Sequence, residues 1–242
     1  MVESNTEEIQ TLRKWTLDHA WVAARPWDVL TGPEGFNIFT GGEGCRVTDI
    51  NGRSYIDYWS GLGNVSSLGY GRQEIAEAAY EQMKKLHYQP DHELTIAQIK
   101  LAKKLADITP GSLSRVFFGN SGTEAIETAL KVARKYQRLS GFSNRHKMIV
   151  GGYRYHGCTY GAMSVGTRAP TFTWEDFEPL VPGTIHVSSP YCFRCDLGLG
   201  YPGCNLQCAR EIERVIQREV PETVAAFLDV TIASEYSTAP PP

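Results

Sequence analysis

Arg115-Val116-Phe117-Phe118-Gly119-Asn120-Ser121-Gly122-Thr123-Glu124 is a short apolar run that breaks into small, hydroxyl-bearing residues just ahead of a helical pattern. It reads as a strand over 115–118 running into a helix over 122–139. The turn between the two has chemistry of its own. A helix N-terminus leaves backbone N–H groups unpaired and carries partial positive charge, which suits a dianionic phosphate. Gly122 puts no side chain between an anion and the backbone, while Ser121 and Thr123 add hydroxyl donors. A capping box explains part of the same stretch, with Ser121 at the N-cap and Glu124 reaching back to an orphan N–H. It does not explain Gly122 in a first turn, where glycine costs about 0.8–1 kcal/mol relative to alanine, nor the second hydroxyl of Thr123. Both readings stand at this level. Further along, Tyr155-His156-Gly157 offers an aromatic face able to lie on a flat ring.

Outward from this turn the chain alternates short apolar strands with amphipathic helices. Strands are expected at 147–150, 184–187 and 224–228, and helices at 72–86, 93–107 and about 205–219. Uniformly apolar strands between helices imply an α/β domain, its sheet mostly parallel and covered on both faces. The opening third differs. After a helix over 6–20, Arg46–Ile50 and Ser54–Asp57 flank Asn51-Gly52, a type I′ hairpin signal, so a small and partly β lobe is expected. The division expected is residues 1–66 for the N-terminal segment and part of a small domain, then 67–242 for an incomplete large domain. Pro240-Pro241-Pro242 follows a core strand with no covering helix, so the chain is expected to stop mid-domain.

Composition narrows the function class. Of 242 residues, 42% are hydrophobic and 21% charged, ordinary values for a globular protein with a substantial core. A net charge of -3 gives no electrostatic reason to expect nucleic acid or an anionic membrane surface as partner. No apolar run approaches a membrane span, and the acidic start Glu3-Ser4-Asn5-Thr6-Glu7-Glu8 resembles neither a signal peptide nor a presequence, so a cytoplasmic location is expected. Six cysteines are too sparse for a disulfide scaffold. Gly41-Gly42-Glu43-Gly44 and Gly61-Leu62-Gly63 do not supply a dinucleotide fingerprint, and no glycine loop leads into Gly-Lys-Ser or Gly-Lys-Thr.

Several segments together resemble the class III (omega) aminotransferases, which use pyridoxal 5'-phosphate (PLP). Phe117 to Ala125 resembles their phosphate cup, Asp49 to Asp57 their early hairpin, Leu68-Gly69-Tyr70-Gly71-Arg72 the lead-in to the first large-domain helix, and Tyr153 to Gly157 the segment whose aromatic residue stacks on the pyridine ring. The resemblance covers most of residues 35–230 and implies a PLP-transferase fold of type I. It assigns Ser121, Gly122 and Thr123 to the cofactor phosphate and Tyr155 to the ring. His156 either lines the pocket or is structural, and Gly157 lets the chain turn beneath the ring. The implied reaction moves an amino group from an amine or omega-amino acid donor to an oxo-acid acceptor, in a full-length homodimer. The loop Trp59 to Asn64 is expected to line the substrate pocket.

Two departures qualify the resemblance. The family's Schiff-base lysine, and its aspartate on the pyridine nitrogen, match no position here. The nine lysines (Lys14, Lys84, Lys85, Lys100, Lys103, Lys104, Lys131, Lys135 and Lys147) fall on amphipathic helices or strand edges. At the strand-end position where the family usually has a glutamate stands Val230, with Asp229 beside it and Glu235 further on. Asp229 as substitute and a shifted segment are both open. A non-catalytic chain, or a zinc-binding or interaction module, is the competing reading. Its second basis is Cys192, Cys195, Cys204 and Cys208, whose spacing would suit four thiolates around zinc, or equally reduced thiols packing a loop.

Overall fold

The computed structural model describes residues 6–22, 26–32, 35–61, 65–90, 92–166 and 174–230. They fall into two compact units, Met1–Ser114 and Arg115–Pro242. The domain boundary expected between residues 66 and 67 lies inside the first of these. None of the described helices is long and apolar enough to cross a membrane.

The first unit holds α1 (Thr6–His19), α2 (Trp27–Thr31), the antiparallel sheet β1-β2-β3 (Phe39–Glu43, Arg46–Asp49, Ser54–Ile56), α3 (Gln73–Lys85) and α4 (Ile96–Ile108). The expected hairpin forms between β2 and β3, with Thr48 opposite Ser54. Its turn is not type I′, which needs positive φ at both central residues. Gly52 has φ +77°, and Asn51 is not among the residues of positive φ. The carboxylate of Asp49 organises the turn instead. It accepts the N–H groups of Asn51 and Arg53 and the hydroxyl of Tyr55, each at 2.9 Å. A second carboxylate orders the following loop, where Asp57 accepts from the Trp59 and Gly61 N–H groups and from the Tyr70 hydroxyl. β1 was not legible in the sequence, because Phe39-Thr40-Gly41-Gly42-Glu43 lacks alternation and carries two glycines.

The second unit is organised around β4 (Lys147–Gly151). It lies between β5 (Thr184–Val187) and β6 (Val224–Leu228) and is parallel to both. A strand hydrogen-bonded on both edges and covered on both faces must be apolar throughout, and Met148, Ile149 and Val150 are almost fully buried. Successive side chains point to opposite faces. Met148 and Val150 meet Ile126, Leu130 and Ala133 of α5 (Gly122–Leu139) and Val165 after α6 (Tyr160–Ser164). Ile149 meets Ile212, Val215 and Ile216 of α7 (Gln207–Arg218). The expected strand over 115–118 does not form. These residues take no regular secondary structure and pair with no strand among the described residues, and Phe117 is exposed.

Burial works to raise the pKa of Asp49, but the Arg53 N–H, the Tyr55 hydroxyl and the Asn51 N–H outweigh it and hold the carboxyl below its ordinary 3.8. A depressed carboxylate stabilises the fold above its unfolded pKa, and the contribution disappears as pH falls through the folded value. Asp49→Asn should therefore lower the denaturation midpoint near pH 7 and flatten the loss of stability on acidification below about pH 4. Urea unfolding at a series of pH values measures both effects.

Candidate functional site

In a parallel sheet the ligand crevice lies beyond the carboxyl ends of the strands. Beyond β4 the chain passes through Gly151, Gly152 and Tyr153 to Arg154-Tyr155-His156-Gly157, and this turn abuts the start of α5. Gly157 adopts φ +136°, and a Cβ there would stand 2.5 Å from the Thr123 hydroxyl oxygen. Only glycine allows so close an approach in that conformation. Residues 121–123 and 155–157, separated in the sequence, thus share one corner of the unit.

The start of α5 is only half a capping box. The Ser121 hydroxyl accepts the Glu124 N–H at 3.1 Å. The Glu124 carboxylate takes the N–H of Asn120 rather than that of Ser121. Among the described residues, the N–H groups of Ser121, Gly122 and Thr123 therefore have no acceptor. Three adjacent donors at the positive end of an 18-residue helix could hold an anion. Gly122 faces open space, since a Cβ added there would meet nothing within 4 Å.

Tyr155 is 42% exposed, so it lies at the surface of this turn. His156 is only 6% exposed, and its Nε2 is buried without a hydrogen-bond partner. Burial lowers its pKa, Asp229 partly opposes this and Arg154 adds to it, so the imidazole is neutral at neutral pH. A buried, unsatisfied ring nitrogen costs about 1–3 kcal/mol, and a polar ligand atom would relieve it. The free N–H groups, the open space at Gly122, the exposed Tyr155 and the orphaned His156 nitrogen fit a phosphorylated aromatic group such as PLP.

Asp229 pairs with the Arg154 guanidinium, which is buried and also donates to the Ser189 hydroxyl at 3.2 Å. Sequence reading missed this pair because its members are 75 residues apart. A second carboxylate that it missed, Glu127 on α5, accepts from the Thr159 hydroxyl and the Ala162 N–H and so anchors α6. Lys147 lies at the opposite end of β4 from the turn, bonded to Glu219. Lys131 and Lys135 lie along α5. Residues 62–64 of the expected substrate loop, and Glu235, lie outside the described residues.

Cys192, Cys195, Cys204 and Cys208 are all free thiols lining one small cavity with Tyr191, Leu199 and Tyr201. Burial, reinforced by the neighbouring cysteines, pushes the Cys192 thiol up. Among the described residues, no group of three or more His, Cys, Asp or Glu could hold a metal ion. Cys192 is exposed, Cys195, Cys204 and Cys208 are partly buried, and Cys208 lies on α7.

Residues 33–241 match the aminotransferase class-III family model. The chain belongs to this family. It is 42% identical over 207 residues to a probable aminotransferase of Mycobacterium tuberculosis, covering 84% of this chain and 44% of that protein. It is 40% identical over 200 residues to an aminotransferase of Bacillus subtilis, covering 83% and 43%. Among solved structures, a thermostable (S)-enantioselective omega-transaminase from Thermomicrobium roseum superposes with a TM-score of 0.89 at 34% identity, covering 99% of this chain and 53% of that one. The fold is thus the type I fold of class III transaminases, and the chain spans about half the length of the curated relatives it matches.

The anion cup makes a contrasting prediction at Gly122. Gly122→Ala should leave the melting temperature equal or higher, because alanine favours the helix by up to about 1 kcal/mol. It should also weaken binding of inorganic phosphate, because the methyl group occupies the open space. Thermal melting and phosphate titration of the same preparation check both halves.

Proposed function

We propose that this chain forms the phosphate- and ring-binding part of a PLP-dependent transaminase. The enzyme would move an amino group from an amine or omega-amino acid to an oxo acid. The observation that carries the reading is the row of three unpaired N–H groups at Ser121, Gly122 and Thr123, facing the Tyr155-His156-Gly157 turn in a member of the class-III aminotransferase family.

Each residue then has a physical role. The N–H groups of Ser121, Gly122 and Thr123, with the Thr123 hydroxyl, hold the phosphate dianion at the positive end of α5. The Tyr155 ring would cover the pyridine ring and keep water from it. His156, neutral and buried, would offer its unpartnered ring nitrogen to a polar atom of the bound group. Gly157 lets this turn approach Thr123 closely enough for one rigid group to touch both sides. When bound, PLP supplies the electron sink of amino-group transfer, and the protein supplies orientation and electrostatics.

The amine-bearing lysine and the acid on the pyridine nitrogen are assigned to the half of the family fold that this chain does not span. A homodimer of the complete protein follows from the same resemblance. The likeness to an omega-transaminase supports an amine or omega-amino acid donor, without singling one out.

The test is spectroscopic and enzymatic. The complete protein containing this chain should take up PLP with a visible absorption band that borohydride abolishes, and should release an amino product from an oxo acid and an amine. A preparation that gains no band with added PLP would overturn the reading. Ser121→Ala with Thr123→Ala removes two hydroxyls. If the Thr123 hydroxyl donates to the phosphate, the pair should weaken PLP binding by about tenfold or more, since a hydrogen bond to a charged group contributes about 1.5–3 kcal/mol.

A further inference from the structure

One side chain ties together the carboxyl ends of all three parallel strands. Arg154 follows β4 and is 4% exposed. Its Nε donates to Asp229, directly after β6, and its Nη1 donates to the Ser189 hydroxyl beyond β5 and back to the Tyr153 carbonyl, both at 3.2 Å. The glycines beneath make room for this. A Cβ at Gly151 would stand 2.6 Å from the Asp229 carboxylate, so the acid rests directly on the end of β4. Tyr153, just before Arg154, holds φ +55°, a conformation uncommon for a residue other than glycine, and its hydroxyl is fixed by Asp196 at 2.9 Å. Such backbone persists only where its surroundings over-determine it.

A guanidinium does not shed its proton, and its planar fork can serve several acceptors at once. Buried as it is, Arg154 therefore requires the Asp229 charge and fixes where the chain leaves the sheet. The next three residues are the ring-facing turn, which ends against Thr123.

We propose that Arg154 is the positioning residue of this site: through Asp229 and Ser189 it fixes the Tyr155-His156-Gly157 turn over the strand ends without touching the ligand. The proposal rests on the transaminase reading above and extends it to a residue outside the cup and the ring face. It also accounts for Asp229, which is committed to the strand ends.

The test compares wild type, Arg154→Met, Arg154→Lys and the charge-free pair Arg154→Met with Asp229→Asn. Without cofactor, amide hydrogen exchange at residues 155–158 should speed up by about tenfold or more in Arg154→Met, while Met148 to Val150 stay protected. PLP affinity should fall by about tenfold or more while affinity for inorganic phosphate changes less than about twofold, because the cup is untouched. Arg154→Lys should fall between. The charge-free pair leaves no buried charge unmatched, so it should recover thermal stability but not PLP affinity. Wild-type exchange in Arg154→Met, wild-type PLP affinity in the charge-free pair, or parallel loss of PLP and phosphate in every variant would overturn the proposal. If wild type binds neither PLP nor phosphate, the transaminase reading fails. The exchange comparison still decides the tie itself: faster exchange supports it and unchanged exchange contradicts it.

Discussion

Burial of β4 on both faces is the constraint from which the rest of the second unit follows. Met148, Ile149 and Val150 each contribute about 1.5–3 kcal/mol by leaving water. Exposed pairs such as Lys103–Asp107 contribute about 0–1 kcal/mol. Because β4 cannot turn a face to solvent, α5 and α6 must pack on one side and α7 on the other. Both neighbouring strands run parallel to it, so all three end at the same edge, and there the chain can first place polar groups. Arg154, Ser189 and Asp229 follow β4, β5 and β6 within three residues of each strand end, and they meet.

Much of this architecture is legible in the sequence for a local reason. Met148-Ile149-Val150, Ile126-Leu130-Ala133 and Ile212-Val215-Ile216 each carry the period of their own element, so strands and helices could be read off one by one. What failed was non-local. Arg115 to Phe118 has the composition of a strand, but a strand needs a neighbour, and none of the described strands pairs with it. The Asn51-Gly52 turn was misjudged because the Asp49 carboxylate, two residues upstream, outcompetes the dipeptide's own preference.

The site divides in the same way. The cup at Ser121, Gly122 and Thr123 is contiguous, so its anion chemistry shows in the sequence alone. The ring side depends on which residues the fold brings to the strand ends. The family resemblance points to Tyr155 and Gly157, whereas the orphaned nitrogen of His156 and the Arg154–Asp229 pair emerge only with coordinates. The pair also bears on the question left at the end of β6, since the Asp229 carboxylate already has the Arg154 guanidinium as partner.

The central claim is that the start of α5 and the turn after β4 act as two walls of one PLP site. Amide chemical-shift mapping during a titration with PLP tests it most directly. The account predicts perturbations at Ser121, Gly122 and Thr123 together with Tyr155, His156 and Gly157, and inorganic phosphate reproducing only the first three. Perturbations confined to other residues, or PLP and phosphate giving the same map, would contradict it.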